Sequence, residues 1–136
     1  MERLKATIEG IPPSPETWGK GRSFWVYTKL RNKWFVLLMK AIGFADPKCR
    51  YIKITMYRNR LLDRYDNLNT SCKFIIDCLK EWIDIPSKRK PFGKKGLGWI
   101  SDDTGLECTI EIQQIKVNHR KDQKTEIEIE DLEKSA

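Results

Sequence analysis

The stretch YIKITMYR, residues 51–58, has apolar side chains at Ile52, Ile54 and Met56 and polar side chains between them. Successive side chains of a β-strand point to opposite faces of its sheet. A repeat of two residues therefore predicts a strand with one buried face. Helical patterns lie on both sides of this strand along the chain.

Two helices are predicted, one before and one after this strand. The first covers residues 23–41, where Ser23 is suited to cap its start and the turn residues GFADPK, 43–48, end it. Apolar side chains around much of its circumference indicate that this helix is covered on more than one side. The second covers residues 67–83, where apolar side chains recur at helical spacing until Pro86 ends the pattern.

Turn residues mark a first strand and two loops. Residues 4–9 alternate weakly and form a predicted strand that ends before the Pro- and Gly-rich loop IPPSPETWGKG, 11–21. The stretch PSKRKPFGKKGLG, 86–98, contains five basic residues and no acid, which predicts a mobile basic loop. A short strand is predicted after it, within GWISDD, residues 98–103.

Two alternating stretches near the carboxyl end predict a β-hairpin. They are ECTIEIQQIKV, 107–117, and KTEIEIED, 124–131, and the polar segment NHRKDQ lies between them. The alternation breaks at Gln113 and Gln114, which predicts a β-bulge.

The order β-α-β-α-β-β predicts an α+β fold of two layers, with one mixed four-stranded sheet and two helices on one face. A chain of 136 residues is long enough for one domain with a single core, and no internal repeat is present. We therefore expect one domain over residues 1–136, with the acidic carboxyl end, 131–136, frayed.

Composition disfavours several classes of protein. The four cysteines are scattered without a CxxC pair and His119 is the only histidine, so we expect reduced thiols, mostly in the core, and no zinc site. The first sixteen residues do not resemble a signal peptide, and the longest apolar run, from Trp34, is interrupted by Lys40. We expect a cytoplasmic protein with no membrane partner and no small-molecule cofactor.

Positive charge is concentrated in the first 117 residues. The net charge is +7, and residues 118–136 hold 4 basic and 6 acidic side chains, so the preceding part carries +9. So basic a region is typical of proteins that bind a polyanion. Nucleic acid is a better candidate than a membrane, because the sequence has no basic amphipathic segment that could anchor it to lipid. The alternative interpretation of the charge is that this is an ordinary soluble protein with a high isoelectric point and no polyanionic partner.

Five aspartates nevertheless lie near predicted element ends or on a helix: Asp63, Asp66, Asp77, Asp102 and Asp103. Mg²⁺ prefers oxygen ligands and takes only a few carboxylates, which leaves positions for water and substrate phosphate. Carboxylates without a counter-ion repel a phosphodiester. A divalent ion bound between the carboxylates and the phosphate would explain why acids lie within a basic surface.

Each of these carboxylates also has a simpler explanation. Asp66 suits the N-cap of the second helix, with Asp63 in the adjoining turn. The pair at 102–103 is followed by Thr-Gly, which is typical of a turn. Asp77 lies four residues after Lys73, a spacing at which the two side chains form an exposed ion pair.

Short motifs in a fixed order resemble the RusA family of Holliday junction resolvases. They are IPPSPETW after the first strand, RNRLLDRYDNL (58–68), KFIIDCLK (73–80) and GWISDD (98–103) before the last two strands. No single motif is specific, and the resemblance rests on their order over most of residues 4–130. It implies a small homodimeric endonuclease that uses Mg²⁺ or Mn²⁺ to nick four-way DNA junctions in recombination and repair, of a kind often encoded by phages or prophages.

The resemblance also implies roles for individual residues. Asp66 and Asn67 match the second acid and the asparagine of a D-x-D-N motif. Asp103 matches the second of two paired aspartates, and Asp77 and Lys73 match an aspartate and a lysine on the helix. The implied catalytic residues are Asp63, Asp66, Lys73 and Asp103, and the implied metal ligands are Asp63, Asp66, Asp77, Asp102 and Asp103.

One departure from the family pattern concerns the first acid. It normally precedes the second by two residues, whereas Asp63 lies three before Asp66, with Arg64 and Tyr65 between them. Either Asp63 still reaches the metal across one extra residue, which we favour, or Arg64 has replaced the ligand and activity is weakened.

Basic side chains around these motifs are expected to contact DNA phosphates. They are Arg58, Arg60, Arg64, Lys88, Arg89, Lys90, Lys94 and Lys95. For the basic loop, a surface role without DNA is the alternative. Three other functions stay open: a catalytically inactive dimer that binds branched or duplex DNA, a nuclease for flaps or single strands, and a protein-interaction domain.

Overall fold

A computed structural model describes residues 3–12, 24–46, 50–62, 72–80, 82–85, 92–100 and 108–131. The elements in chain order are β1 (Arg3–Glu9), α1 (Phe24–Ile42), β2 (Arg50–Arg58), α2 (Lys73–Leu79), β3 (Trp82–Ile85), β4 (Phe92–Lys95), β5 (Cys108–Lys116), a 3₁₀ helix (Arg120–Asp122) and β6 (Lys124–Asp131). In these parts of the chain no helix is long and apolar enough to cross a membrane.

The main sheet has four strands in the order β1-β6-β2-β5. Strand β6 is antiparallel to both of its neighbours, and β5 is parallel to β2. The predicted α+β fold, with one mixed four-stranded sheet and two helices, is therefore confirmed.

The core lies on one face of this sheet, where the alternation of β2 predicted it. Ile52 pairs with Ile129 of β6 and Ile110 of β5, which places three isoleucines in one row across the sheet. Trp34 of α1 and Ile75 of α2 belong to the same buried cluster, so both helices cover this face. Burial of this apolar surface is the main driving force for folding.

The predicted β5–β6 hairpin is wrong, because β2 lies between the two strands. Alternation identifies a strand and its buried face but carries no information about which strand is its neighbour. The predicted bulge is also wrong, since the β2–β5 register runs without interruption from Arg50–Cys108 to Arg58–Lys116.

The second helix is shorter than predicted. It ends at Leu79, and Trp82 and Ile83 belong to β3, which pairs antiparallel with β4 in a separate two-stranded sheet. Strand β4 occupies part of the predicted basic loop, and Gly96 to Gly98 after it are buried, so the loop prediction is wrong for residues 92–98. Residues 67–71 of the predicted helix and 86–91 of the predicted loop lie outside the described residues.

The segment after β4 replaces the missing turns of α2. The last carbonyl groups of a helix lack partners within the helix. Here the carbonyl of Cys78 accepts the Leu97 N–H at 2.9 Å and that of Leu79 accepts the Ile100 N–H at 3.2 Å. Gly96 permits this approach, because a Cβ atom there would overlap the carbonyl oxygen of Lys80.

Candidate metal and nucleic-acid site

Most of the predicted ligands fall outside the described residues. They are Asp63, Asp66, Asp102 and Asp103, and the same holds for Arg64, Lys88, Arg89 and Lys90. Within the residues that are described, no three His, Cys, Asp or Glu side chains gather as metal ligands would. Because four of the five proposed ligands lie elsewhere in the chain, their convergence stays a prediction.

The chain that leads into Asp63 is held at the end of β2 by polar side chains. Gln114 accepts the Leu62 N–H at 2.9 Å and donates its amide to the Leu62 carbonyl at 2.8 Å. Asn59 donates its backbone N–H to the side chain of Gln123 at 3.0 Å. These bonds satisfy backbone groups that have left the strand ladder, so the start of the Asp63 segment is positioned by the sheet.

The role of Gln114 was missed in the sequence. Ile110, Ile112 and Gln114 share one face of β5, and Gln114 pairs with Met56 across the core face. A polar residue at an inward position signals a buried hydrogen-bond partner, because an unpaired amide there is costly. The irregular alternation that we attributed to a bulge arises from this side chain.

Along the chain, helix α2 lies between the two segments that carry predicted ligands. Its start lies near the Arg58 end of β2, where the Cys72 and Met56 sulfur atoms are 3.7 Å apart. Its last carbonyl is bonded to Ile100, two residues before Asp102. A helix of 7 residues is only about 10 Å long.

The described carboxylate of the predicted site, Asp77, lies on α2 and is half-buried. Its Oδ1 atom is 3.4 Å from the Nζ atom of Lys80, and the Asp77 side chain is 18% exposed. Lys73, one turn earlier on the helix, is exposed. A half-buried carboxylate and an exposed cation are thus carried by the same short helix.

The described basic residues of the predicted DNA surface differ in accessibility. Arg58 is 6% exposed and donates hydrogen bonds to the carbonyl groups of Arg60 and Pro12, each at 3.3 Å. Burial lowers the pKa of its guanidinium group. We therefore assign Arg58 to the structure of this end of β2 and not to phosphate contact. Arg60 and Lys95 are exposed, and Lys94 is described only as a member of β4.

The sheet face opposite the core is rich in acid, and we call it the charged face. Glu126 and Glu128 alternate along β6, and the Nζ atom of Lys5 lies 3.9 and 3.7 Å from their carboxylates. Tyr51 donates a hydrogen bond to Glu111. This bond, then burial and the neighbouring glutamates, raise the pKa of Tyr51 to about 12. Phosphates are not expected to bind in the middle of this face.

Comparison with known proteins identifies no family: no family model matches the chain, and no curated protein matches it. The RusA resemblance therefore rests on the short ordered motifs alone.

Replacement of Gln114 by leucine is expected to destabilise the protein by about 2 kcal/mol, because it leaves the backbone groups of half-buried Leu62 without partners. Urea unfolding measures the loss, and faster hydrogen exchange at the Leu62 amide locates it. Gln113→Leu is the matched control, since Gln113 makes one bond to Thr55 on the opposite face. Equal effects of the two variants on Leu62 exchange would contradict the assignment.

Alkaline stability is expected to depend on Tyr51. Its pKa in the folded protein, about 12, exceeds the ordinary value of 10.0, so its contribution is complete below pH 10 and is lost as pH rises towards 12. Tyr51→Phe should reduce the decline of unfolding free energy across this range and remove tyrosinate absorbance that appears as the pH approaches 12. An unchanged decline in the variant would refute the prediction.

Proposed function

We propose that this protein is a RusA-like, Mg²⁺-dependent endodeoxyribonuclease that resolves four-way DNA junctions by paired symmetric nicks. The observation that supports the proposal is the hydrogen bond between the end of α2 and Ile100, which links the helix that carries Asp77 to the GWISDD motif. The helix carries Asp77, follows the Asp66 segment along the chain, and bonds at its end to Ile100 of GWISDD. Mn²⁺ is expected to replace Mg²⁺, because both favour oxygen ligands.

The metal ligands are proposed to come from both segments and from α2. An all-carboxylate donor set fits Mg²⁺, and the described member, Asp77, presents a carboxylate that solvent reaches. When bound, the ion lowers the pKa of a coordinated water and stabilises charge that develops on the scissile phosphate. Asp63, Asp66 and Asp103 are the proposed direct ligands, with Asp77 and Asp102 beside them.

Lys73 is proposed to act on the phosphate. Its side chain is exposed and begins one helical turn before Asp77, so the two occupy neighbouring positions on the helix surface. An ammonium group there neutralises the phosphate or assists the leaving oxygen. A homodimer would place two such sites about a two-fold axis, which suits two symmetric nicks.

Asp66→Asn is expected to reduce nicking of a synthetic four-way junction at least about 100-fold, because a ligand that supports charge stabilisation is lost. Single-turnover cleavage with Mg²⁺ measures the rate, and junction binding in EDTA is expected to persist. Asp46→Asn serves as the control, since Asp46 is exposed and lies outside every motif. Undiminished nicking by Asp66→Asn removes this residue from the mechanism.

A second candidate function is a RusA-like dimer that binds branched or duplex DNA without cleaving it. The observation that favours it is the spacing of Asp63 and Asp66, which is one residue longer than in the family. A wild-type protein that binds junctions but does not nick them, even with Mn²⁺, would select this function.

Deletion of Arg64 tests the same spacing directly. It creates the sequence D-Y-D-N, which has the two-residue separation of the family motif. If the extra residue weakens metal binding, the deletion is expected to raise metal-dependent nicking about tenfold or more, equivalent to about 1.4 kcal/mol of the barrier. Deletion of Tyr65 restores the spacing equally and is the matched variant. Reduced nicking by both deletions would show that the longer segment is required.

A further inference from the structure

A groove of about 990 Å³ lies at the end of the sheet where β2 finishes. Thr7, Glu9 and Tyr57 of the charged face line one side of it. The opposite side consists of residues 116–124, which end β5, pass the end of β2 and begin β6. We call this cavity the end groove. It is separate from the proposed metal ligands in sequence.

Three cations of the end groove have no counter-ion among the described residues. Lys116, Arg120 and Lys121 are exposed, and none of them forms an ion pair or side-chain hydrogen bond with any residue that the structure describes. Lys124 differs, because its Nζ atom lies 3.7 Å from Glu126 and 4.7 Å from the centre of the Tyr57 ring. The three cations are therefore available to an external anion.

The acids of the end groove are fewer than its cations. Of the described residues that line it, Glu9 and Asp122 are acidic, and four are lysine or arginine. The middle of the charged face is different, since there Lys5 is paired with both Glu126 and Glu128 of β6. Negative ligands are thus favoured at this end of the sheet and disfavoured along its middle.

The polar and apolar composition of the lining favours nucleic acid over other polyanions. Asn118 and His119 are exposed beside the cations, and such side chains donate to phosphate oxygens. Among the lining residues that the structure describes, Val117 is the one aliphatic side chain. Membrane-surface helices and protein partners are commonly anchored by apolar or aromatic side chains, of which the described lining offers few.

The end groove also adjoins the segment of the proposed nuclease site. Asn59 donates its side-chain amide to the Asn118 carbonyl at 3.2 Å, and its backbone N–H is bonded to Gln123. Four residues after Asn59 the chain reaches Asp63. A phosphate backbone held in the groove would pass beside this segment.

We propose that the end groove binds the phosphate backbone of nucleic acid through Lys116, Arg120 and Lys121. Its role as the site that holds one duplex arm of a junction rests on the proposed function. The binding of nucleic acid phosphates does not.

The test compares two triple variants of equal charge. Lys116→Gln, Arg120→Gln and Lys121→Gln remove the groove cations, and Lys29→Gln, Lys33→Gln and Lys40→Gln remove three exposed cations of α1. Binding of duplex, single-stranded and four-way junction DNA is measured in EDTA by fluorescence anisotropy across a salt series. The groove variant is expected to bind at least about tenfold more weakly, with a salt slope lower by roughly 2 to 3, since each phosphate contact contributes about 0.9.

The α1 variant is expected to change affinity only about twofold, because it alters long-range steering without removing a contact. Asp122→Asn provides a test in the opposite direction and is expected to tighten binding about twofold, since it removes a repulsive charge from the groove. Equal weakening by the two triple variants, or no binding of any DNA by the wild type, would overturn the proposal. The proposal would also be overturned if the groove variant lost binding to anionic lipid vesicles but still bound DNA as the wild type does.

Cleavage with Mg²⁺ or Mn²⁺ separates this inference from the proposed function. If the wild type binds DNA through the three cations but nicks no junction, the proposed function fails and the groove assignment holds. If the wild type nicks junctions and the groove variant binds and nicks equally well, the groove assignment fails and the proposed function holds.

Discussion

Strand β2 is hydrogen-bonded along both edges, to β6 on one side and to β5 on the other. Because β5 and β6 follow each other in the chain but are separated in the sheet, their connection must pass the end of β2. There the Val117 N–H bonds to the Arg58 carbonyl at 2.9 Å, and Gln123 accepts from Asn59. The same passage forms one side of the end groove. A tight β5–β6 hairpin would have left this end of the sheet without either feature.

The opposite end of β2 is closed by a buried arginine. Arg50 donates to the Asp131 carboxylate at 2.8 Å and to the Asp46 carbonyl at 2.7 Å, and its guanidinium lies 4.9 Å from the centre of the Trp99 ring. A buried guanidinium is tolerated only where its charge and donors are satisfied. This cluster holds Trp99, the residue before Ile100. The described residues that precede the two segments with predicted ligands, Leu62 and Ile100, thus lie near opposite ends of β2.

The sequence predicted those features that depend on local periodicity. Alternation at Ile52, Ile54 and Met56 identified β2 and its buried face, and helical spacing identified α1 and α2. Strand order was not accessible, because a side chain reports the face to which it points and not the strand beside it. The end of α2 depends on carbonyl partners from Leu97 and Ile100, which are far away in sequence. For the candidate site, the sequence identified the aspartates that could bind a metal ion. Whether these aspartates lie close together depends on segments outside the described residues.

The distribution of charge explains how acid and base coexist in one small basic protein. Glutamates of β6 face lysines across the charged face, where exposed pairs contribute little to stability but cancel each other's field. At the end of the sheet this pairing stops, since Lys116, Arg120 and Lys121 form no ion pair with any described residue. A phosphate backbone approaching the molecule is attracted there and repelled by the glutamate rows. The proposed binding at the end groove would therefore bring a polyanion to the end of β2, beside Asn59, four residues before Asp63 in the chain.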